Sequence, residues 1–208
     1  MKKISFFAIC LAAAMLLGAC GAPAPSADPS EPTISVSFGY ADGLRYPPSY
    51  AIWMQDETGQ TATLYATGKA ATGLENRPAA LPVWKGVSEA DVVSGATPSQ
   101  KAELKLNFPD KFAGKECTLY IEANASYDYN DYYAEGLSEG DEGYNDVNGQ
   151  PSAVWAAKID ASVSGSATPS LAGTGDVLGA DHAVHDKQHL TTAAELLTGI
   201  SVTWDTGK

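Results

Sequence analysis

The segment from Asp91 to Thr97 reads DVVSGAT and places a carboxylate and a small hydroxyl residue, Ser94, just ahead of a threonine. Gly95 and Ala96 leave the threonine hydroxyl approachable from several sides. The proline that follows disfavours helix, so we predict that the hydroxyl lies on an exposed turn. Ser-Gly and Thr-Pro are ordinary turn dipeptides, and a polar turn between two strands is the alternative interpretation.

A second group of reactive side chains fills the segment 127–150 (YDYNDYYAEGLSEGDEGYNDVNGQ), which we call the acidic tyrosine loop. Calcium requires several oxygen ligands on a flexible backbone, and this loop supplies candidates in Asp128, Asp131, Asp141 and Asp146. Their spacing does not match a calcium-loop template, which favours a solvated acidic loop. A surface rich in tyrosine and acid is equally suited to binding a ligand or a partner protein.

All three histidines lie within eight residues of one another, beside two aspartates: His182, His185, His189, Asp181 and Asp186. If the segment were helical, His185 and His189 would share one face and, with His182, could bind a transition metal. Gly179 and the lack of a long apolar stripe favour a polar loop instead.

The N-terminal residues determine where these groups act. A charged start at Lys2 and Lys3 and an apolar run over 4–17 predict a lipoprotein signal peptide over 1–19. The run ends in LGAC, which resembles a bacterial lipobox and implies lipidation of Cys20. Residues 20–32 are small and proline-rich, and we predict a disordered tether there. We therefore expect an extracytoplasmic protein anchored by lipid to the bacterial cell membrane, in the periplasm or at the cell surface.

The acidic composition of the chain argues against nucleic acid as a partner. With 25 acidic residues against 13 Lys and Arg, the formal net charge is −12, so nucleic acid is not an expected partner.

Beyond the lipidated cysteine, one cysteine remains, Cys117, at the start of an apolar run. A lone cysteine forms no internal disulfide, and we predict that it is a buried small hydrophobe.

The elements that must position these groups are mainly strands. Residues alternate between apolar and polar, or form short aromatic-rich runs, over 33–40, 50–54, 62–65, 101–108, 117–122, 153–160 and 199–204. Strands at this spacing, separated by Gly, Pro and Asn, predict an all-β fold: one antiparallel β-sandwich domain over 33–208. One short C-terminal helix is also predicted, with Thr192 and Glu195 as a capping box and Gly199 as its end.

The chain resembles a family of predicted periplasmic proteins known as domain of unknown function 2271. The resemblance is carried by six motifs: 48–56, 81–84, 91–97, 120–130, 178–181 and 190–193. It implies an immunoglobulin-like sandwich and an association with extracytoplasmic flavin transfer and with membrane redox proteins.

Within these motifs, DVVSGAT resembles the acceptor sequence of extracytoplasmic FMN transferases. This resemblance implies a covalent FMN on the Thr97 hydroxyl, with Asp91, Ser94, Gly95 and Ala96 supporting the site. Trp53, Trp84 and the tyrosines are then candidate stacking groups for the flavin. An aromatic residue in a strand is usually part of the core, and this alternative is favoured for Trp53.

No serine-histidine-acid signature, phosphate-binding loop or dinucleotide fingerprint is present, and we do not expect an independent enzyme. Two main hypotheses follow. The first is a lipid-anchored redox carrier with FMN on Thr97. The second is a non-catalytic envelope module that binds a cation, a peptide or another protein through the acidic tyrosine loop. Metal binding at that loop or at the histidines is a third possibility.

Overall fold

The computed structural model describes residues 31–73, 77–87, 94–95 and 97–207. Ten strands are assigned within these ranges: β1 Thr33–Tyr40, β2 Ser49–Asp56, β3 Thr61–Thr67, β4 Ser94–Gly95, β5 Lys101–Asn107, β6 Glu116–Asn124, β7 Ala153–Asp160, β8 Gly165–Ala167, β9 Ser170–Thr174 and β10 Leu197–Asp205. Two short helices, α1 Gly68–Gly73 and α2 Pro82–Lys85, and three 3₁₀ turns, Asp110–Phe112, Asp146–Asn148 and Thr192–Glu195, complete the assignment.

The strands form two sheets packed face to face, which confirms the predicted β-sandwich. The four-stranded sheet has the order β5-β1-β10-β8, and the six-stranded sheet has the order β4-β3-β2-β6-β7-β9. Pairing is antiparallel except between β3 and β4, where Ala66 and Thr67 pair in parallel with Ser94 and Gly95. The seven predicted strands are all present, whereas β4, β8 and β9 were not predicted. The immunoglobulin-like assignment stays a prediction.

The main core lies between the sheets and is apolar. Alternate residues of β1, β5 and β10 point into it, such as Ile34, Leu104 and Val202, while their neighbours face solvent. Cys117 is free and buried in this core, as predicted, and burial raises the pKa of its thiol. The alternation explains why these strands could be predicted from the sequence.

The six-stranded sheet is covered on both faces. Along β6, Leu119 and Ile121 face the main core, while Tyr120 and Glu122 lie on the opposite face. A smaller apolar cluster packs on that outer face: Ala51, Trp53, Ala66, Ala70, Leu81, Val83, Trp84 and Val154. Helix α2 covers this cluster, and Trp84 Nε1 donates a hydrogen bond to Thr63 Oγ1 at 3.0 Å.

A short C-terminal helical turn is present where the sequence predicts one, but the predicted capping box and the predicted end at Gly199 are wrong. Thr192–Glu195 is a single 3₁₀ turn with Thr191 at its N-cap and no capping side chain, so the capping box does not form. Gly199 lies within β10 and does not end the helix. The reason is tertiary, because Thr192 Oγ1 accepts a hydrogen bond from Gln150 Nε2 at 2.7 Å and donates one to Asp128 Oδ1.

Candidate functional site

Two long segments meet on the outer side of the six-stranded sheet. One is the acidic tyrosine loop, and the other, residues 175–191, we call the histidine loop. Asn130 Nδ2 donates to the His189 carbonyl at 2.7 Å, and the Tyr132 ring stacks on His189 with centroids 3.8 Å apart and planes inclined by 7°. These contacts hold the loops together as the two walls of a cleft.

Gln150 ties the ends of the two loops to each other. Its side chain is buried, and Oε1 accepts from the backbone N–H of Thr191 at 2.6 Å and from its hydroxyl at 3.2 Å. The amide nitrogen donates to Thr192, as described above. An amide is suited to this position because it offers donors and an acceptor on one group. The ends of the two loops therefore keep a fixed spacing.

Arg77 anchors the base of the acidic tyrosine loop. Its guanidinium donates to Ser126 Oγ at 3.0 Å, to Asn124 Oδ1 at 3.4 Å and to Asn148 Oδ1. Burial lowers the pKa of Arg77 from its ordinary value, although a guanidinium stays charged at neutral pH. The loop is therefore an ordered part of the fold, held by buried polar contacts.

The histidine loop is pinned to β9 through its backbone. His185 N–H donates to the Thr174 carbonyl at 2.8 Å, and Thr174 N–H donates to the His185 carbonyl at 3.0 Å. Gly173 permits this approach, because a Cβ there would collide with the His185 carbonyl oxygen. The His185 region is thus a bridged extended segment, which confirms the polar loop and excludes the helix that would pair His185 with His189.

Between the loops lies a cleft of about 560 Å³, which we call the acidic cleft. It is lined by Tyr132, Tyr133, Gly140, Asp141, Gly143, Tyr144, Thr174, Gly175, Asp176, Val177, Leu178, His185, Asp186 and Gln188. Three aspartates and three tyrosines thus face a single concave surface whose lining includes no Lys or Arg. Lys187, the nearest cation in sequence, donates instead to the Leu171 carbonyl at 3.3 Å.

A buried carboxylate lies beneath the cleft floor. Glu122 is fully buried and accepts hydrogen bonds from Ser152 Oγ at 2.6 Å, from Trp84 N–H at 2.7 Å and from Val83 N–H at 3.3 Å. Burial without a cationic partner raises the pKa of Glu122 to about 7. A Cβ on Gly175, which lines the cleft, would lie 2.9 Å from Glu122 Oε1, so this glycine separates the carboxylate from the cleft.

Three potential metal ligands converge at one end of the cleft. A ligand atom from each of Asp176, Asp181 and His185 lies within 4.8 Å of the others, and within the described ranges no other group of His, Cys, Asp and Glu meets this criterion. The predicted candidate His185 belongs to this set, whereas His182 donates through Nδ1 to the Pro82 carbonyl at 2.7 Å. The calcium candidates Asp128, Asp131, Asp141 and Asp146 are not brought together.

The predicted FMN acceptor lies on the other edge of the six-stranded sheet. Ser94 is exposed and Thr97 is half-buried, while Asp91 and Ala96 lie outside the described residues. Gly95 packs closely on Tyr65, since a Cβ there would lie 2.8 Å from Tyr65 Oη. This contact is a packing reason for glycine at the position.

A smaller pocket, of about 400 Å³, is lined in part by residues that follow Thr97 in the sequence. Ser99 and Gln100, just after Thr97, line it together with residues 40–47. The Arg45 guanidinium there lies 4.6 Å from the Tyr127 ring centroid and 5.6 Å from that of Tyr46. Both tyrosines are exposed.

The tryptophans are core residues, as the alternative interpretation of Trp53 predicts, and do not serve as stacking groups. Trp53 and Trp84 are each only 2% exposed, and Trp53 stacks on Tyr120 with ring centroids 5.2 Å apart. Their rings complete the outer apolar cluster and have no free face for a flavin. Tyr46 and Tyr127 have exposed rings, and Tyr46 lines the pocket that Ser99 and Gln100 also line.

Sequence reasoning missed Glu122, Gln150 and Asp176 as site residues. A signal existed for Glu122, because it interrupts an otherwise apolar strand at a position whose sheet partners, Ala51 and Val154, are buried. Gln150 and Asp176 stand in polar loops, where an isolated amide or acid is unremarkable.

No family model, curated protein or solved structure matches this chain. Among the described residues, no helix has the length and apolar character needed to cross a membrane.

Proposed function

We propose that this chain is a lipid-anchored extracytoplasmic binding protein that takes a small cation or a cationic side chain into the acidic cleft. The observation that carries the proposal is the composition of that cleft. Asp141, Asp176 and Asp186 supply negative charge, the three tyrosines supply aromatic surface, and no Lys or Arg lines the space between them.

The chemistry of the cleft favours organic cations. A carboxylate attracts an ammonium or guanidinium group, and a tyrosine ring adds about 0.5–2 kcal/mol when the cation lies over its face. The excess of acid across the chain adds long-range attraction for cations. Anionic ligands would meet repulsion from all three aspartates.

The order of the cleft walls also supports binding. Contacts of Gln150, Asn130 and the Tyr132–His189 stack hold both loops in place without a ligand. A preformed cleft spares the ligand the free-energy cost of ordering these loops.

Titration calorimetry of the full chain in detergent, with EDTA present, tests the proposal. The probes are tetramethylammonium and arginine amide, with glycerol and succinate as neutral and anionic controls. We expect saturable heat with the cations alone. Asp141→Asn and Asp186→Asn should each weaken binding, while Asp110→Asn, on the remote Asp110–Phe112 turn, removes a charge without effect. Equal loss in all three variants, or no heat with either cation, contradicts the proposal.

A second candidate function is an FMN carrier modified at Thr97. The favouring observation is that Thr97 is partly exposed at the sheet edge, two residues before a pocket lined by Arg45 and Tyr46. The Thr97 oxygen would form the phosphoester, and Tyr46 and Arg45 would contact the bound group. FMN, once attached, supplies one- and two-electron transfer.

Co-expression with an extracytoplasmic FMN transferase tests this second candidate. Intact mass and in-gel flavin fluorescence should reveal one FMN per chain, and Thr97→Ala should remove it. The chain contains a matched control in Thr168, which is exposed and precedes Pro169 and Ser170 just as Thr97 precedes Pro98 and Ser99. Thr168→Ala should leave the mass increase intact. No mass increase, with the transferase active on another substrate, contradicts the FMN assignment.

A further inference from the structure

We infer that Asp176, Asp181 and His185 form a binding site for one divalent first-row transition-metal ion, with Zn²⁺ as the reference ion. The site shares Asp176 and His185 with the acidic cleft, but Asp181 does not line the cleft. The inference goes beyond the proposed binding of organic cations and does not depend on it.

The ligand set is the first argument. Two carboxylates and one imidazole of the histidine loop converge, with ligand atoms within 4.8 Å of one another. Zn–O and Zn–N bonds of about 2.0–2.2 Å place the ligands of one ion about 3.0–3.5 Å apart, so a contraction on the order of 1 Å closes the set. An imidazole in the set favours Zn²⁺ and its neighbours over Ca²⁺ and Mg²⁺, which select all-oxygen sites.

The orientation of each ligand is the second argument. Asp176 Oδ2 accepts from the backbone N–H groups of Ala180 at 2.7 Å and Leu178 at 3.1 Å, which aims the carboxylate and leaves its other oxygen for an ion. The backbone bridge between His185 and Thr174 fixes the position of the His185 main chain. Thr174 lies two residues before Asp176 in the chain, so the bridge keeps His185 near that carboxylate. Ligands held in this way by outer hydrogen bonds need little reorganisation to bind a metal.

The contact between the remaining pair is the third argument. His185 Nε2 donates to Asp181 Oδ1 at 2.8 Å, so an imidazole nitrogen and a carboxylate oxygen already face each other. An ion that takes the place of this hydrogen would bind both atoms, and the neutral imidazole would then carry its one N–H on Nδ1.

The partial exposure of the three ligands leaves coordination positions open. Asp181 and His185 are exposed and Asp176 is half-buried. A site with three protein ligands keeps at least one position for water or another molecule. Because Asp176 and His185 also line the acidic cleft, that position is accessible to a molecule bound in the cleft.

Calorimetry of the chelator-stripped full chain with ZnCl₂ at pH 7.5 tests the inference, with Co²⁺ absorption as an independent report of the ligands. We expect one ion per chain and much weaker binding of Mg²⁺ and Ca²⁺. Asp181→Asn and His185→Gln should each weaken Zn²⁺ binding by more than the roughly 10- to 100-fold that loss of an outer hydrogen-bonding partner costs. The control variant Asp110→Asn, on the remote Asp110–Phe112 turn, removes a carboxylate outside the ligand set and should bind Zn²⁺ as the parent does.

Several outcomes would overturn the inference: no saturation with Zn²⁺, equal affinity for Ca²⁺, or unchanged affinity in His185→Gln. Circular dichroism should show that the exposed substitutions leave the fold intact. Asp181→Asn separates this inference from the proposed function, because it should weaken zinc binding strongly and leave tetramethylammonium binding unchanged. If the protein binds zinc but no organic cation, only the proposed function is contradicted. If it binds organic cations but no zinc, only the metal site is contradicted.

Discussion

The two faces of the six-stranded sheet are both buried, yet they are built differently. On the inner face, Leu119 and Ile121 of β6 pack in an apolar core against the four-stranded sheet. On the outer face the same strand presents Glu122 and Asn124, each buried and hydrogen-bonded to covering segments. The inner face is covered by another sheet, and the outer face by helix α2 and two long loops.

Because of this difference, the inner face supplies most of the stability, and the candidate site lies on the outer face. Apolar burial is non-directional and supplies most of the free energy of folding. Buried polar groups contribute less net stability, but they require partners in defined directions and therefore specify how loops are placed. The acidic cleft and the proposed metal site both lie among the loops of the outer face.

The largest expected effect comes from truncation on the inner face. Ile121 is completely buried in the main core, so Ile121→Ala should lower the free energy of unfolding by about 2–5 kcal/mol. Urea denaturation measures this loss. Thr118→Ala, on the same strand but partly exposed, is the control and should change stability by less than about 0.5 kcal/mol. A similar loss in both variants would remove the distinction between the two faces.

The next effect concerns the pH dependence of the outer face. Its raised pKa means that Glu122 binds its proton more tightly in the folded than in the unfolded state, where the ordinary value is 4.5. The stability that this proton confers is fully present below about pH 4.5 and is lost as pH rises through 7, a span of about 3 kcal/mol.

Glu122→Gln should remove this pH dependence. The free energy of unfolding, measured between pH 4.5 and 8, should decline less steeply in the variant than in the parent protein. Asp56 provides the opposite case, because its hydrogen bonds to Thr58 and Lys115 lower its pKa to about 2. Asp56→Asn should lower stability by a constant amount above about pH 4, remove the change in stability between about pH 4 and 2, and leave the slope near neutrality intact. Parallel curves for Glu122→Gln and the parent protein would contradict the prediction.

A smaller effect is expected from the link between the loops. Gln150→Ala leaves the Thr191 N–H and the Thr192 hydroxyl without their partner, which should cost about 1–3 kcal/mol. Hydrogen exchange should rise in both loops and stay unchanged in β1 and β5. Exchange that rises equally in the sheets would mean that Gln150 supports the whole fold rather than the outer face.

The smallest effect is expected on the solvent face of the four-stranded sheet. Lys101 and Glu103 form an exposed ion pair of 2.6 Å, and such pairs contribute between about 0 and 1 kcal/mol. Lys101→Ala should leave the thermal midpoint within experimental error. A drop comparable to that of Gln150→Ala would show that exposed and buried polar contacts count alike here.

The strands were predictable where the sequence alternates, and less so elsewhere. The strands β1, β5 and β10 each have one face toward solvent and one toward the core. Apolar residues therefore recur at every second position, and this alternation is visible in the sequence. The short strands β4, β8 and β9 consist largely of Gly, Ala and Ser and add to the sheets at or near their edges. Residues of that kind carry no strand propensity, so only tertiary pairing reveals these strands.

The candidate site was only partly predictable for the same reason. His185 and Asp181 are four residues apart, and their clustering was visible in the sequence. Asp176 joins them because the loop turns back on β9 at Thr174, a contact with no local signal. Thr192 had the pattern of a capping residue, but a hydrogen bond to Gln150, 42 residues away, prevailed.

The pairing of β1 with β10 has a consequence for how the protein folds. Thr33 lies opposite Asp205, so the central pair of the four-stranded sheet joins residues about 170 positions apart. Folds dominated by such distant contacts form slowly, because the loop must close before its contacts are gained. Until β10 pairs with it, β1 exposes a strand edge and an apolar face. We therefore expect a chain that lacks its last strand to be prone to aggregation through that edge.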